Sequence, residues 1–114
     1  MFLISGSLAF DEIGEFDGRF AKQFQNSSKI SAAFVLQKSR REFGGTAGNI
    51  AFSLAQLGEK EIFLKATAGD DFENYEKHLR KFGISTEFVE IFKTEKTAQC
   101  QIFNDAEKNQ ILFF

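Results

Sequence analysis

The chain contains no proline and no tryptophan, and only one each of cysteine, tyrosine, histidine and methionine. A lone cysteine, Cys100, cannot close an internal disulfide. Without proline, turns must be marked by Gly, Asn and Asp. Neither sign of charge dominates, since 14 Lys and Arg are interspersed with 16 Asp and Glu for a net charge of -2. That leaves no cationic face of the kind nucleic acid or an anionic membrane surface requires. No apolar run is long enough to span a bilayer, and Met1–Ile4 lacks the length and basic flank of a secretion signal. These absences point to a cytoplasmic protein that binds neither nucleic acid nor membrane.

What is present is phenylalanine, with 16 residues, which we read as taking core positions that Leu or Tyr would otherwise hold. A hydrophobic fraction of 43% with 26% charged residues over 114 positions suits one globular domain. Residues 2–9 read as a buried strand, and 12–16 as a second extended stretch. Phe20 and Phe24 mark a helical turn over 18–25, before a polar loop at Asn26–Ser28 and a strand over 30–36. From Ala47 the period changes, because Ala47, Ile50, Ala51, Leu54 and Leu57 form one stripe that Gly58 ends. A strand over 61–67 follows. Gly69-Asp70-Asp71 then supplies a turn and an N-cap for a helix marked by Phe72, Tyr75, Leu79 and Phe82 and stopped by Gly83. Residues 86–92 read as a third core strand, and 97–103 with 110–114 as a hairpin about a turn at 104–109.

Strands alternating with helices predict an α/β fold whose parallel sheet is covered on both faces. The stretches 12–16, 30–36, 97–103 and 110–114 predict a separate antiparallel sheet. The chain closes on Ile111-Leu112-Phe113-Phe114 with no cap or polar tail, as though cut within a longer fold.

The stretch Glu42-Phe43-Gly44-Gly45-Thr46-Ala47-Gly48-Asn49 joins a strand end, a glycine turn and a helix N-terminus. Unpaired amides and the positive end of the helix dipole meet at such a corner, which suits polar or anionic ligands. It is not a phosphate loop of the Walker type, because no Gly-Lys-Ser/Thr follows. Nor is it a dinucleotide fingerprint, because Phe43 stands where the first glycine belongs. On composition alone the stretch serves equally well as a plain turn with a cap.

Gly44-Gly45-Thr46-Ala47-Gly48-Asn49-Ile50-Ala51, followed after six intervening residues by Gly58, resembles the first signature of the ribokinase-like (PfkB) carbohydrate kinases. Gly6-Ser7 with Asp11 at the end of the first strand is similar to that family's opening motif, Gly69-Asp70-Asp71 to its Gly-Asp-Asp turn, and Thr97-Ala98 to its lid-strand Thr-Gly. Within the family the likeness is greatest to adenosine kinase-like members. Ten residues separate Gly58 from Gly69 where the family usually has nine, which implies a longer turn after the helix. The family's other signature, Asp-Thr-x-Gly-Ala-Gly-Asp, which carries the catalytic base and anion hole, does not occur in these residues. The chain therefore resembles only the N-terminal part of the family's enzyme.

The resemblance implies ATP-dependent phosphorylation of a hydroxyl on adenosine or another ribose-containing acceptor, with Mg2+ bridging the phosphates and ATP held mainly by the part not present here. It implies that Asp11, otherwise a strand-end turn residue, accepts hydrogen bonds from two ribose hydroxyls, and that Asn49 holds a neighbouring one. Gly44 and Gly45 would let the backbone pass against the sugar, Ser7 would touch the base or ribose, and Thr46, where ribokinase proper has Lys and some adenosine kinases Ser, would be a substrate-binding residue that tilts the acceptor from free ribose toward a nucleoside. Phe34, Leu36, Gln99, Gln101 and Phe103 would lie on lid strands. No catalytic residue and no metal ligand is expected in this chain. An inactive ligand-binding or dimerisation module, pairing as a homodimer through the lid, is the alternative. His78 has no partner at metal-ligand spacing and reads as a solvated helix flank. Cys100 reads as a small apolar residue, and Arg40-Arg41-Glu42 as a charged strand edge that could approach a phosphate.

Overall fold

A computed structural model describes residues 1–24 and 31–114. The expected loop at Asn26–Ser28, Gln25 of the expected helical turn and Ile30 of the expected strand lie outside the described residues. In chain order the elements are β1 (Phe2–Ser5), β2 (Ala9–Glu15), α1 (Phe20–Gln23), β3 (Lys38–Gly44), α2 (Thr46–Gln56), β4 (Ile62–Gly69), α3 (Glu73–Lys81), β5 (Ile84–Phe92), β6 (Ala98–Asn104) and β7 (Gln110–Phe113). They form two compact units, Met1–Phe10 with Phe43–Gln99, and Asp11–Glu42 with Cys100–Phe114.

The first unit holds a parallel sheet in the order β1-β4-β5. Phe2 pairs with Ile62 and Ile4 with Leu64, and Ile62 in turn pairs with Ile84. The apolar residues of that parity meet α2 and α3 in one core, where Leu8, Ile62, Leu64, Tyr75, Leu79 and Ile84 are all but inaccessible. Each such side chain contributes about 1.5–3 kcal/mol on burial. Helix α2 turns Ala47, Gly48 and Ala51 inward. The expected stripe was wider, because Ile50 and Leu57 are 50% and 80% exposed. The small residues bring α2 close to the sheet, so the larger side chains at the flanks are left outside. The expectation of a sheet covered on both faces also needs correction among the described residues. Leu3 and Phe88, on the other parity, are exposed.

Three further expectations change in this unit. The first strand is not continuous over 2–9; it breaks at Gly6–Leu8 and resumes as β2, so Asp11 lies inside β2 rather than at a strand end. Asp71 does not cap α3, whose first turn has no side-chain cap; its Oδ1 instead accepts the Thr97 N–H at 2.8 Å. His78 is no solvated flank. Its ring lies half-buried at 4.6 Å from Phe43, 5.6 Å from Phe52 and 5.1 Å from Phe82. Burial, with some help from the Lys81 charge, lowers its pKa.

The second unit holds most of a four-stranded sheet in the order β3-β2-β6-β7, with β6 and β7 antiparallel. The strand expected over 30–36 is found later in the chain, at Lys38–Gly44, and the described residues 31–36 form no strand. The physical reason is partner choice. Phe34 packs edge-on against Phe16 at 5.0 Å and Phe20 at 5.2 Å, while the charged residues of β3 pair with β2, Arg40 with Glu15 at 3.6 Å and Arg41 with Glu12. As an edge strand lined with charge, β3 fits the expectation for Arg40-Arg41-Glu42. The turn at 104–109 is organised by the buried Asp105. Its carboxylate accepts the amides of Phe20 (3.0 Å), Glu107 (2.9 Å) and Asn109 (2.9 Å), which ties α1 to the β6–β7 hairpin.

Candidate functional site

The glycine corner is built by two backbones in contact. Gly45 has φ +87° and ψ +148°, a conformation that side chains resist, and a Cβ there would stand 2.5 Å from the Ser7 carbonyl oxygen and 2.8 Å from the Ala9 nitrogen. The missing side chain at Gly45 thus makes way for the chain's own β1–β2 connection. Ser7 and Thr46 lock the two segments together. The Ser7 Oγ accepts the Thr46 N–H at 2.9 Å, the Ser7 carbonyl accepts the Ala47 N–H at 3.0 Å, and the Thr46 Oγ1 accepts the Ser7 N–H at 3.3 Å. Their hydroxyls lie 3.2 Å apart. Ser7 therefore caps α2 from a distant segment and takes two amides that an anion would otherwise use. Asn49 is exposed in the first turn of α2, its own N–H bonded to the Gly45 carbonyl at 3.0 Å. Gly44, at the end of β3, is buried.

The turn Gly69-Asp70-Asp71 is clasped to the segment that enters β6. Gly69 N–H donates to the Thr97 Oγ1 at 3.0 Å, Asp70 N–H to the Glu95 carbonyl at 3.0 Å, and Lys96 pairs with the Asp70 carboxylate at 2.7 Å. Burial works against the Asp71 charge, but the Thr97 amide and hydroxyl and the Lys96 charge outweigh it, and its pKa is lowered. This clasp was missed by sequence reasoning, which treated the two motifs separately. Beside it, at the carboxyl ends of the parallel strands, a cleft of about 340 Å³ is lined by residues including Ser7, Thr67, Phe92, Lys96 and Thr97. Open α/β sheets bind ligands at that end. Thr67, Phe92 and Lys96 follow from strand direction once the sheet order is known.

In the second unit Asp11 is half-buried on β2, and burial together with the neighbouring Glu42 charge raises its pKa. Cys100 is buried on β6, its thiol pKa raised by burial and by the Asp11 carboxylate. Along β6 the alternate parity carries Gln99, Gln101 and Phe103, and the last two pair with Phe113 and Ile111. Phe34, Leu36 and Phe103 line an apolar cavity of about 470 Å³ with Phe20, Phe24 and Phe113. The five lid candidates are thus divided: Phe34, Leu36 and Phe103 share a cavity wall, while Gln99 and Gln101 are exposed. Among the described residues no group of three His, Cys, Asp or Glu side chains is placed to hold a metal ion, and no helix is long and apolar enough to cross a membrane.

A parallel βαβαβ unit, with a glycine turn leading into one of its helices and a cleft at its strand ends, is the layout of an α/β protein that binds small molecules. The chain belongs to the pfkB family of carbohydrate kinases, whose model matches residues 19–114. It is 33% identical over 86 residues to a nucleoside kinase of Methanocaldococcus jannaschii, a match that takes in 74% of this chain and 28% of that one. It superposes on the nucleoside kinase of Burkholderia thailandensis in complex with inosine with a TM-score of 0.82 at 37% identity, covering 100% of this chain and 36% of that one. The crystal structure of the M. jannaschii nucleoside kinase, an archaeal member of the ribokinase family, gives a TM-score of 0.82 at 27% identity over 99% of this chain and 36% of that one. The chain spans about a third of the length of these relatives.

Proposed function

We propose that this chain supplies the acceptor-binding side of an ATP-dependent kinase that phosphorylates a hydroxyl of a nucleoside or a related ribose-containing sugar. The glycine corner carries the reading. Ser7 and Thr46 fix the start of α2 so that Asn49, which both donates and accepts, is held exposed for a sugar hydroxyl. The family resemblance gives Asp11, half-buried on β2, the role of accepting from sugar hydroxyls, and burial with the neighbouring Glu42 charge raises its pKa. Gly45 lets the turn lie against the β1–β2 connection, and Gly44 is buried. The nucleoside kinases it resembles, one of them with inosine in its structure, favour a nucleoside over a free sugar. Among the described residues no group of His, Cys, Asp or Glu is placed to hold a metal ion, and phosphoryl transfer itself is assigned to residues outside these 114.

Titration calorimetry of the 114-residue chain with inosine, adenosine and ribose tests this. We expect nucleoside binding, weakened about 10- to 100-fold by Asp11→Ala, as loss of a charged hydrogen bond contributing about 1.5–3 kcal/mol implies. A coupled assay should detect no turnover by this chain alone. Absence of nucleoside binding by the folded chain, or turnover at an ordinary kinase rate, would refute the assignment. A second reading, a homodimer through the lid sheet, is favoured by the exposure of Leu112 and Phe113 on the edge strand β7. Light scattering that finds only monomer removes it.

A further inference from the structure

The single tyrosine reaches across the first unit to the glycine turn. Tyr75 is carried by α3, yet its hydroxyl donates to the Gly44 carbonyl oxygen at 2.6 Å. Its ring lies flat on Phe43, centroids 4.6 Å apart at 18°. Gly48 of α2 provides the room, because a Cβ there would overlap the tyrosine oxygen. A core ring alone would need none of this. Phe10, Phe20 and Phe72 fill buried positions with plain rings, whereas the phenol of Tyr75 is buried and aimed at one peptide of a Gly-Gly pair that has many conformations open to it.

We propose that Tyr75 is a positioning residue of the acceptor site, and that its hydroxyl sets the rotation of the Gly44–Gly45 peptide; this rests on the acceptor-binding reading above. In a trans peptide the carbonyl of one residue and the N–H of the next point in opposite directions, and no described peptide bond is cis. Drawing the Gly44 carbonyl toward Tyr75 therefore turns the Gly45 N–H away from the core. The Gly45 carbonyl, in the following peptide, accepts the Asn49 N–H at 3.0 Å, so the setting of the Gly44–Gly45 peptide reaches the backbone of Asn49 through the dihedral angles of Gly45.

Tyr75→Phe keeps the ring and its stacking and removes only the donor. We expect the variant to stay folded, with amide exchange at Thr46, Ala47 and Asn49 about tenfold faster while the amides of β4 and β5 keep their rates. Inosine affinity, measured where both proteins are folded, should fall about tenfold. Gly48→Ala supplies an independent arm. It should be far more damaging with Tyr75 present than in the Tyr75→Phe background, where the overlapping oxygen is gone. Unchanged exchange in the turn, exchange accelerated uniformly over the unit, or equal damage from Gly48→Ala in both backgrounds would each overturn the proposal. If the unsubstituted chain fails to bind inosine, the acceptor reading falls on its own, and exchange with the paired variants still decides the role of Tyr75.

Discussion

Gly45 and Gly58 have nearly the same φ, +87° and +89°, but opposite surroundings. A Cβ at Gly58 meets nothing within 4 Å, whereas at Gly45 it meets three backbone atoms of Ser7, Leu8 and Ala9 at 2.5–2.8 Å. Alanine at Gly58 therefore costs only the strain of a left-handed residue, about 1 kcal/mol. Alanine at Gly45 adds to a strain of about 1–3 kcal/mol an overpacking of about 1–3 kcal/mol, because the obstacle is main chain that no rotamer change can clear. With about 4 °C lost per kcal/mol in a domain of this size, Gly58→Ala should lower the melting temperature by about 4 °C and Gly45→Ala by roughly 8–24 °C. Thermal unfolding of the two variants, followed by far-UV circular dichroism, makes the comparison at nearly equal φ. If Gly45→Ala melts within a few degrees of Gly58→Ala, the contact between the glycine turn and the β1–β2 connection is not what this structure shows.

Three other outcomes are expected. Asp11, whose pKa is raised in the fold, favours the folded state at low pH and loses that contribution as pH rises through its folded value; Asp11→Asn should therefore leave stability at neutral pH unchanged or higher while weakening nucleoside binding, and a stability loss would show that the carboxylate has a structural partner. His78 is held neutral among aromatic rings with its pKa lowered, so stability should fall as pH drops below 6.5, and denaturant titrations of His78→Phe should lose that slope. Asp71→Ala deprives the Thr97 N–H of its acceptor and should cost about 1–3 kcal/mol by urea unfolding, a loss that shrinks in acid as the lowered carboxyl of the parent is itself protonated.

Which parts of this molecule were legible from its residues depended on how local their causes were. The two helices of the first unit were readable because their apolar spacing and their closing glycines, Gly58 and Gly83, lie within each element. β3 was misplaced because the apolar Ala32–Leu36 run looks more strand-like than the charged Lys38–Glu42; only the cross-strand pairs of Arg40 with Glu15 and Arg41 with Glu12 explain the choice. At the candidate site the same division holds. The glycine turn stood out, but its partners did not: Ser7 acts on Thr46 from 39 positions away and Tyr75 on Gly44 from 31. Asp71 looked like a helix cap because Asp before a helix is one in most settings, and the competing claim of the Thr97 amide is invisible in sequence.

The strand order β1-β4-β5 also constrains how the chain is made. Phe2 pairs with Ile62, so β1 can find its neighbour only after some sixty further residues have been translated. At about 5–20 residues per second it waits on the order of several seconds. During that interval Phe2, Leu3 and Ile4 are without β4 to pair with, and the nascent chain is open to chaperone capture or misfolding at β1.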